Sequence, residues 1–129
     1  PMFNKKWTHS KWSSGYREDI GHSCRSSWEA NYCRILKYLG ISYEFESESF
    51  DIGNNEYYTP DIKINDSLYI EVKGYLYEKG KRKLKLFLKK YPQKGLILVD
   101  EELYNILSRF YFKLIEEYWE PDGIVKRRN

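Results

Sequence analysis

The chain has 129 residues and 15.7 kDa, and its 22 basic and 19 acidic side chains leave a net charge of only +3, a size that suits one compact domain with a modest core. Its 41% hydrophobic and 18% aromatic content, with 13 Tyr and 4 Trp, excludes a disordered chain, which would be poor in aromatics. No apolar run nears the roughly 18 residues of a membrane span, and the N-terminal stretch lacks the apolar segment of a signal peptide, so a soluble cytoplasmic protein with no membrane partner is expected.

Pro1 ahead of Met2 reads as a residue left by tag cleavage. Residues 2–24, with Lys5, Lys6, Trp7, Lys11, Trp12, Tyr16 and Arg17 around Gly15, follow neither helical nor strand periodicity. They are expected to form an irregular basic and aromatic arm ahead of a single domain over 25–129. Cys24 and Cys33 lack CxxC spacing, and His9 and His22 are the only imidazoles, so a zinc site is not expected and both cysteines read as buried or half-buried free thiols.

From Ser26 the pattern turns helical. Trp28, Tyr32, Ile35, Leu36 and Leu39 recur at helical spacing, and Gly40 is placed to end the helix. Tyr43 to Glu46 alternates like a half-buried strand that Phe50 and Ile52 continue before the Gly53-Asn54-Asn55 turn. Two alternating runs, Tyr58–Ile64 and Leu68–Val72, predict a hairpin. Leu84, Phe87, Leu88 and Tyr91 form an apolar stripe on a Lys-covered helix that stops before Pro92. Leu96–Val99 reads as an interior strand covered on both faces. A last helix from near Asp100 would turn Leu103, Ile106, Leu107, Phe110 and Leu114 inward. The order α-β-β-β-α-β-α predicts an α/β (α+β) fold with a mixed sheet of about four strands flanked by helices.

The mild net charge hides a bipolar chain. Residues 79–94 carry eight of the 22 basic residues and no acid, leaving 14 basic against 19 acidic elsewhere, a net of −5. In the predicted hairpin, apolar faces on both strands align if Ile64 pairs with Leu68 across a three-residue loop. Asp61 then lies opposite Glu71, with Cβ atoms about 4.5–5.5 Å apart, where like charges are destabilising without a cation between them. Two hard carboxylates of this kind suit Mg²⁺, and Lys73 on the same face stands ready to orient a water or a phosphate oxygen. The alternative is a solvent-facing strand on which Lys63 and Lys73 make surface ion pairs.

Pro60-Asp61, nine intervening residues and then Glu71-Val72-Lys73 resemble the signature of the PD-(D/E)XK nuclease superfamily, over about residues 25–100. The details are most like the small endonucleases of phages and mobile elements. The resemblance implies a restriction-endonuclease-like core and a Mg²⁺-dependent DNA endonuclease, with Mn²⁺ as a substitute. It also implies Asp61, Glu71 and the Val72 carbonyl as metal ligands, Lys73 as a catalytic residue, and Glu29 as a further acid on the first core helix.

Glu29 carries a competing expectation. Ser26-x-x-Glu29 is a capping-box pattern in which Glu29 reaches back to the Ser26 N–H. Arg25 and Arg17 are expected to contact DNA, joined by Lys81, Lys83 and Lys85 on the basic helix, which otherwise is a solvated face. His22 flanks Arg25 and is a weaker phosphate contact. A junction- or branch-specific resolvase and a non-catalytic nucleic-acid-binding module are the alternatives, and cutting both strands with so small a domain would call for a homodimer.

Overall fold

The computed structural model describes residues 14–121, which contain eight strands and three helices. In chain order these are β1 (Gly15–Arg17), β2 (His22–Cys24), α1 (Ser27–Leu39), β3 (Glu44–Phe45), β4 (Phe50–Gly53), β5 (Glu56–Tyr58), β6 (Ile62–Asn65), β7 (Leu68–Val72), α2 (Glu78–Lys90), β8 (Gly95–Val99) and α3 (Glu101–Ile115). They fall into two compact units, residues 14–41 with 104–121 and residues 42–103. No described helix is long and apolar enough to cross a membrane.

The first unit opens with the antiparallel pair β1–β2, in which Gly15 faces Cys24 and Arg17 faces His22. The stretch expected to be irregular through residue 24 is therefore a hairpin from Gly15 onward, and residues 2–13 lie outside the described residues. Strands of three residues are too short to show alternation. The turn is closed by Gly21, whose φ of 78° favours glycine and whose N–H donates to the Arg17 carbonyl at 2.9 Å.

Helix α1 starts and stops where its spacing predicts. Ser26 Oγ accepts from the Glu29 N–H at 3.1 Å, and Gly40 takes the left-handed position at φ 75°. The helix is buried far beyond its apolar stripe, because Ser27, Glu29, Asn31 and Arg34 join Trp28, Ile35 and Leu36 in the interior. Their polar groups are met locally. Arg34 makes a two-pronged contact with Asp19 at 2.7 and 3.0 Å and reaches Glu120 at 3.0 Å, while Asn31 donates to the Tyr104 hydroxyl and accepts from the Glu120 N–H.

The Asp100 carboxylate starts α3 by accepting the Leu103 N–H at 2.9 Å. The face expected to turn inward is nevertheless displaced by one residue. Tyr104 is the buried residue of α3, stacked on Trp28 at 4.3 Å between ring centroids, whereas Ile106, Phe110 and Leu114 are exposed. A large ring with a hydroxyl that finds a buried partner outcompetes aliphatic side chains, turning the helix by about 100°.

In the second unit, β3-β6-β7-β8 form a mixed four-stranded sheet in which β8 runs parallel to β7 and the other pairs are antiparallel. The protein is thus a mixed α/β chain. Among the described strands β8 borders only β7, and Ile97 is exposed, so the strand expected to be covered on both faces is an edge there. The expected run over 58–64 is split between β5 and β6, because Pro60 has no N–H to donate to a ladder.

The hairpin register is as predicted where it matters, with Ile62 opposite Ile70 and Lys63 opposite Tyr69. It then slips, so that Asn65 rather than Ile64 faces Leu68. The Asn65 carboxamide oxygen accepts from the N–H groups of Ser67 and Leu68 at 2.8 and 2.9 Å, which closes a tighter turn than the expected three-residue loop.

An aromatic core of Phe50, Ile52, Tyr58, Tyr69, Leu84 and Phe87 joins β4, β5, β7 and α2. Phe87 packs on Tyr58 at 5.2 Å and Phe50 packs on Tyr69 at 5.4 Å. From the predicted α2 stripe, Leu84 and Phe87 are buried and Leu88 is exposed. Tyr69 belongs to the strand face that would face solvent under the ion-pair alternative, yet it is fully buried, so β7 is covered on both faces.

Candidate functional site

Asp61 precedes β6, and Glu71 lies on β7 where the register brings the two opposite one another. Both are buried, at 3% and 6% exposure. Asp61 Oδ2 accepts the Val72 N–H at 2.8 Å, while Glu71 Oε1 accepts the Tyr58 hydroxyl at 2.6 Å and the Asp61 N–H at 3.3 Å. N–H and O–H donors favour the ionised form of a carboxyl group and so offset part of the cost of burial.

Lys73 follows β7 and is held by its own N–H, which donates to the Val99 carbonyl at 3.0 Å. Its Nζ stands 4.0 Å from Glu71 Oε2, and its side chain is 48% exposed. One end of the site is therefore dry and carries two acids, and the other reaches solvent with an ammonium. Lys63, by contrast, pairs with Glu48 at 3.0 Å and Asp66 at 3.1 Å.

Tyr58 was not singled out by the sequence. Burial, then the charge and hydrogen bond of Glu71, and then Asp61 push its phenol far above the usual tyrosine range. It stays protonated and donates to Glu71. The signal that could have found it is an aromatic residue ending a strand two positions before Pro60, since a buried Tyr hydroxyl needs a partner.

Glu29 belongs to the first unit, whereas Asp61, Glu71, Val72 and Lys73 belong to the second. Its carboxylate accepts the Arg25 N–H at 2.8 Å while Ser26 Oγ accepts the Glu29 N–H. That is the reciprocal cap the sequence suggests, made to Arg25 rather than to Ser26.

Arg17 departs from its expected DNA-contacting role. It is 2% exposed, binds Glu120 through two bonds of 2.8 and 2.9 Å, and donates to the carbonyls of Gly15 and Cys24. An arginine fork buried on a carboxylate has no face left for phosphate. Arg25 is exposed, as are Lys81 and Lys85 on α2. Lys83 is half-buried and donates to the Tyr57 carbonyl at 3.3 Å, and Arg82 binds Glu56 at 2.9 and 2.6 Å. Part of the basic run thus ties α2 to β5, while Lys81 and Lys85 share an outward face one turn apart.

The structure also groups side chains that sequence spacing kept apart. His22, Cys24 and Cys33 each place a ligand atom within 4.8 Å of the others, a grouping that the lack of CxxC spacing gave no reason to expect. Eight residues separate the two cysteines, and only the packing of β2 on α1 brings them together. Both are free thiols and buried, as expected.

No family model matches the chain, and neither a curated protein nor a solved structure shows significant similarity to it.

Proposed function

We propose that this chain is a divalent-metal-dependent DNA endonuclease of the PD-(D/E)XK kind, with a restriction-endonuclease-like core and a phage or mobile-element origin. The observation that carries this reading is the burial of Asp61, just ahead of β6, and Glu71 on the neighbouring β7, linked by a hydrogen bond and flanked by a half-exposed Lys73.

Two buried carboxylates cost several kcal/mol each unless cations and donors offset them. A divalent cation meets that need, and a donor set of hard oxygens fits Mg²⁺, with Mn²⁺ as a substitute. Asp61, Glu71 and the Val72 carbonyl would hold it. When bound, Mg²⁺ supplies charge stabilisation at phosphorus and a more acidic water.

The chain's own residues do the rest. Tyr58 and the Asp61 N–H fix the Glu71 carboxylate, and the Val72 N–H fixes Asp61, so both acids are oriented before substrate arrives. Lys73 Nζ donates to a phosphate oxygen or orients the attacking water as charge develops. Exposed Lys81 and Lys85 neutralise backbone phosphates without reading sequence. Arg25 remains a proposed phosphate contact, and a homodimer the proposed form for cutting two strands.

A structural reading of the acid pair has one observation in its favour, the same hydrogen bonds from Tyr58, Val72 and Asp61. Supercoiled plasmid and a four-way junction, each incubated with Mg²⁺, with Mn²⁺ and with EDTA, separate the two. Metal-dependent cleavage that is lost in Lys73→Ala is expected, and preference for the junction would make the enzyme a resolvase. Intact substrates under every condition would leave a nucleic-acid-binding module.

A further inference from the structure

The first unit gathers three metal-capable side chains that have no part in the proposed nuclease chemistry. His22 and Cys24 are two residues apart on β2 and so share a strand face, and Cys33 sits inside α1. Cys24 Sγ lies 3.8 Å from His22 Nδ1, and Cys33 Sγ lies within 4.8 Å of a ligand atom of each. Cys24 and Cys33 are buried, at 2% and 0% exposure, and His22 is half-buried at the rim.

We propose that His22, Cys24 and Cys33 form a zinc site of two thiolates and one imidazole, with water as the fourth ligand. Zn–S bonds of about 2.3 Å and Zn–N bonds of about 2.0 Å in a tetrahedron place ligand atoms about 3.6–3.8 Å apart. The Cys24–His22 separation already meets that spacing, and the 4.8 Å limit on all three pairs leaves at most about 1 Å to close. Soft sulfur and imidazole ligands select zinc, whereas the carboxylates of the β6–β7 hairpin select Mg²⁺.

Charge points the same way. Two thiolates cancel the charge of Zn²⁺, so the centre is neutral and can be buried without the cost of an isolated ion. Binding replaces two S–H bonds with two Zn–S bonds and releases both protons to solvent. One supporting contact is in place, since Arg17 donates to the Cys24 carbonyl at 3.3 Å, while His22 Nδ1, 3.0 Å from the Ser23 carbonyl, exchanges that contact for the metal. The site would clamp the β1–β2 hairpin to α1.

The test uses the full chain purified under reducing conditions and read without DNA, so its outcome is separate from that of the nuclease proposal. Metal content, Zn²⁺ competition with a chromophoric chelator and the absorption of the Co²⁺-substituted protein are measured for wild type, Cys24→Ser and His22→Gln. One zinc per chain is expected, with a thiolate-to-cobalt charge-transfer band that weakens in Cys24→Ser.

His22→Gln keeps both sulfurs and changes a residue at the rim, so it guards against a Cys24 variant that fails to fold. Its zinc affinity should fall by more than the about 10–100-fold that loss of a mere supporting partner costs. Chelator should lower the Tm of wild type, and added Zn²⁺ should restore it. Folded wild type without stoichiometric zinc or a cobalt–thiolate band would overturn the proposal, as would wild-type affinity in His22→Gln.

Discussion

Glu71 carries both the structural and the catalytic reading on one side chain, and its charge separates them. Gln in its place keeps an oxygen for the Tyr58 hydroxyl and the Asp61 N–H but cannot attract a cation. Glu71→Gln is expected to melt at or above the wild-type temperature, since a buried charge is removed, and to lose cleavage by about 10²–10⁴-fold. Thermal melts beside plasmid nicking read the two effects. Tyr58→Phe removes a bond to a charged acceptor and should cost about 1.5–3 kcal/mol in urea unfolding. Its pH signature has a definite sign. The folded phenol titrates far above the ordinary value near ~10, so its contribution is complete below that pH and declines above it as the unfolded chain ionises first. Wild type should therefore lose stability between about pH 10 and 11 more steeply than Tyr58→Phe.

Helix α2 combines an anchor with an outward face. Lys83 and Arg82 bind the Tyr57 carbonyl and Glu56, whereas Lys81 and Lys85 are exposed. Replacing Lys81 and Lys85 by Ala should lower the slope of log affinity against log salt by about two, roughly one per lost phosphate contact. Lys83→Ala should leave that slope unchanged. Filter binding or anisotropy across a salt series checks both. For α1 the relevant element is its cap. Ser26→Ala removes the acceptor for the Glu29 N–H and should cost about 1 kcal/mol, measured by urea unfolding.

At the scale of the chain, Glu120 holds Arg17, 103 residues away, together with Arg34. All three side chains are nearly buried, so they are one ionic network rather than surface decoration. Glu120→Ala strips a shared carboxylate from two guanidinium groups and should cost about 3–5 kcal/mol in denaturant unfolding. The same network explains why Arg17 could not be placed from the sequence. Its basic and aromatic neighbours imitate a nucleic-acid arm, and the carboxylate that claims it lies near the other end of the chain.

Features written in short-range patterns were legible in the sequence. The bounds of α1 follow from Ser26 and Gly40, the stop of α2 from Pro92, and the alignment of Asp61 with Glu71 from period-two alternation, because each depends on residues within one turn or one hairpin. Burial of both faces of β7 was not legible, since it takes Phe50, Tyr58 and Phe87 from other elements to cover Tyr69 and Glu71. The edge position of β8, the rotation of α3 onto Tyr104 and the meeting of His22 and Cys24 with Cys33 were likewise decided by tertiary packing. Local sequence sets which face of an element is apolar or charged. Which face meets another element, and which buried polar group finds its partner there, is settled only when distant segments compete for the same space.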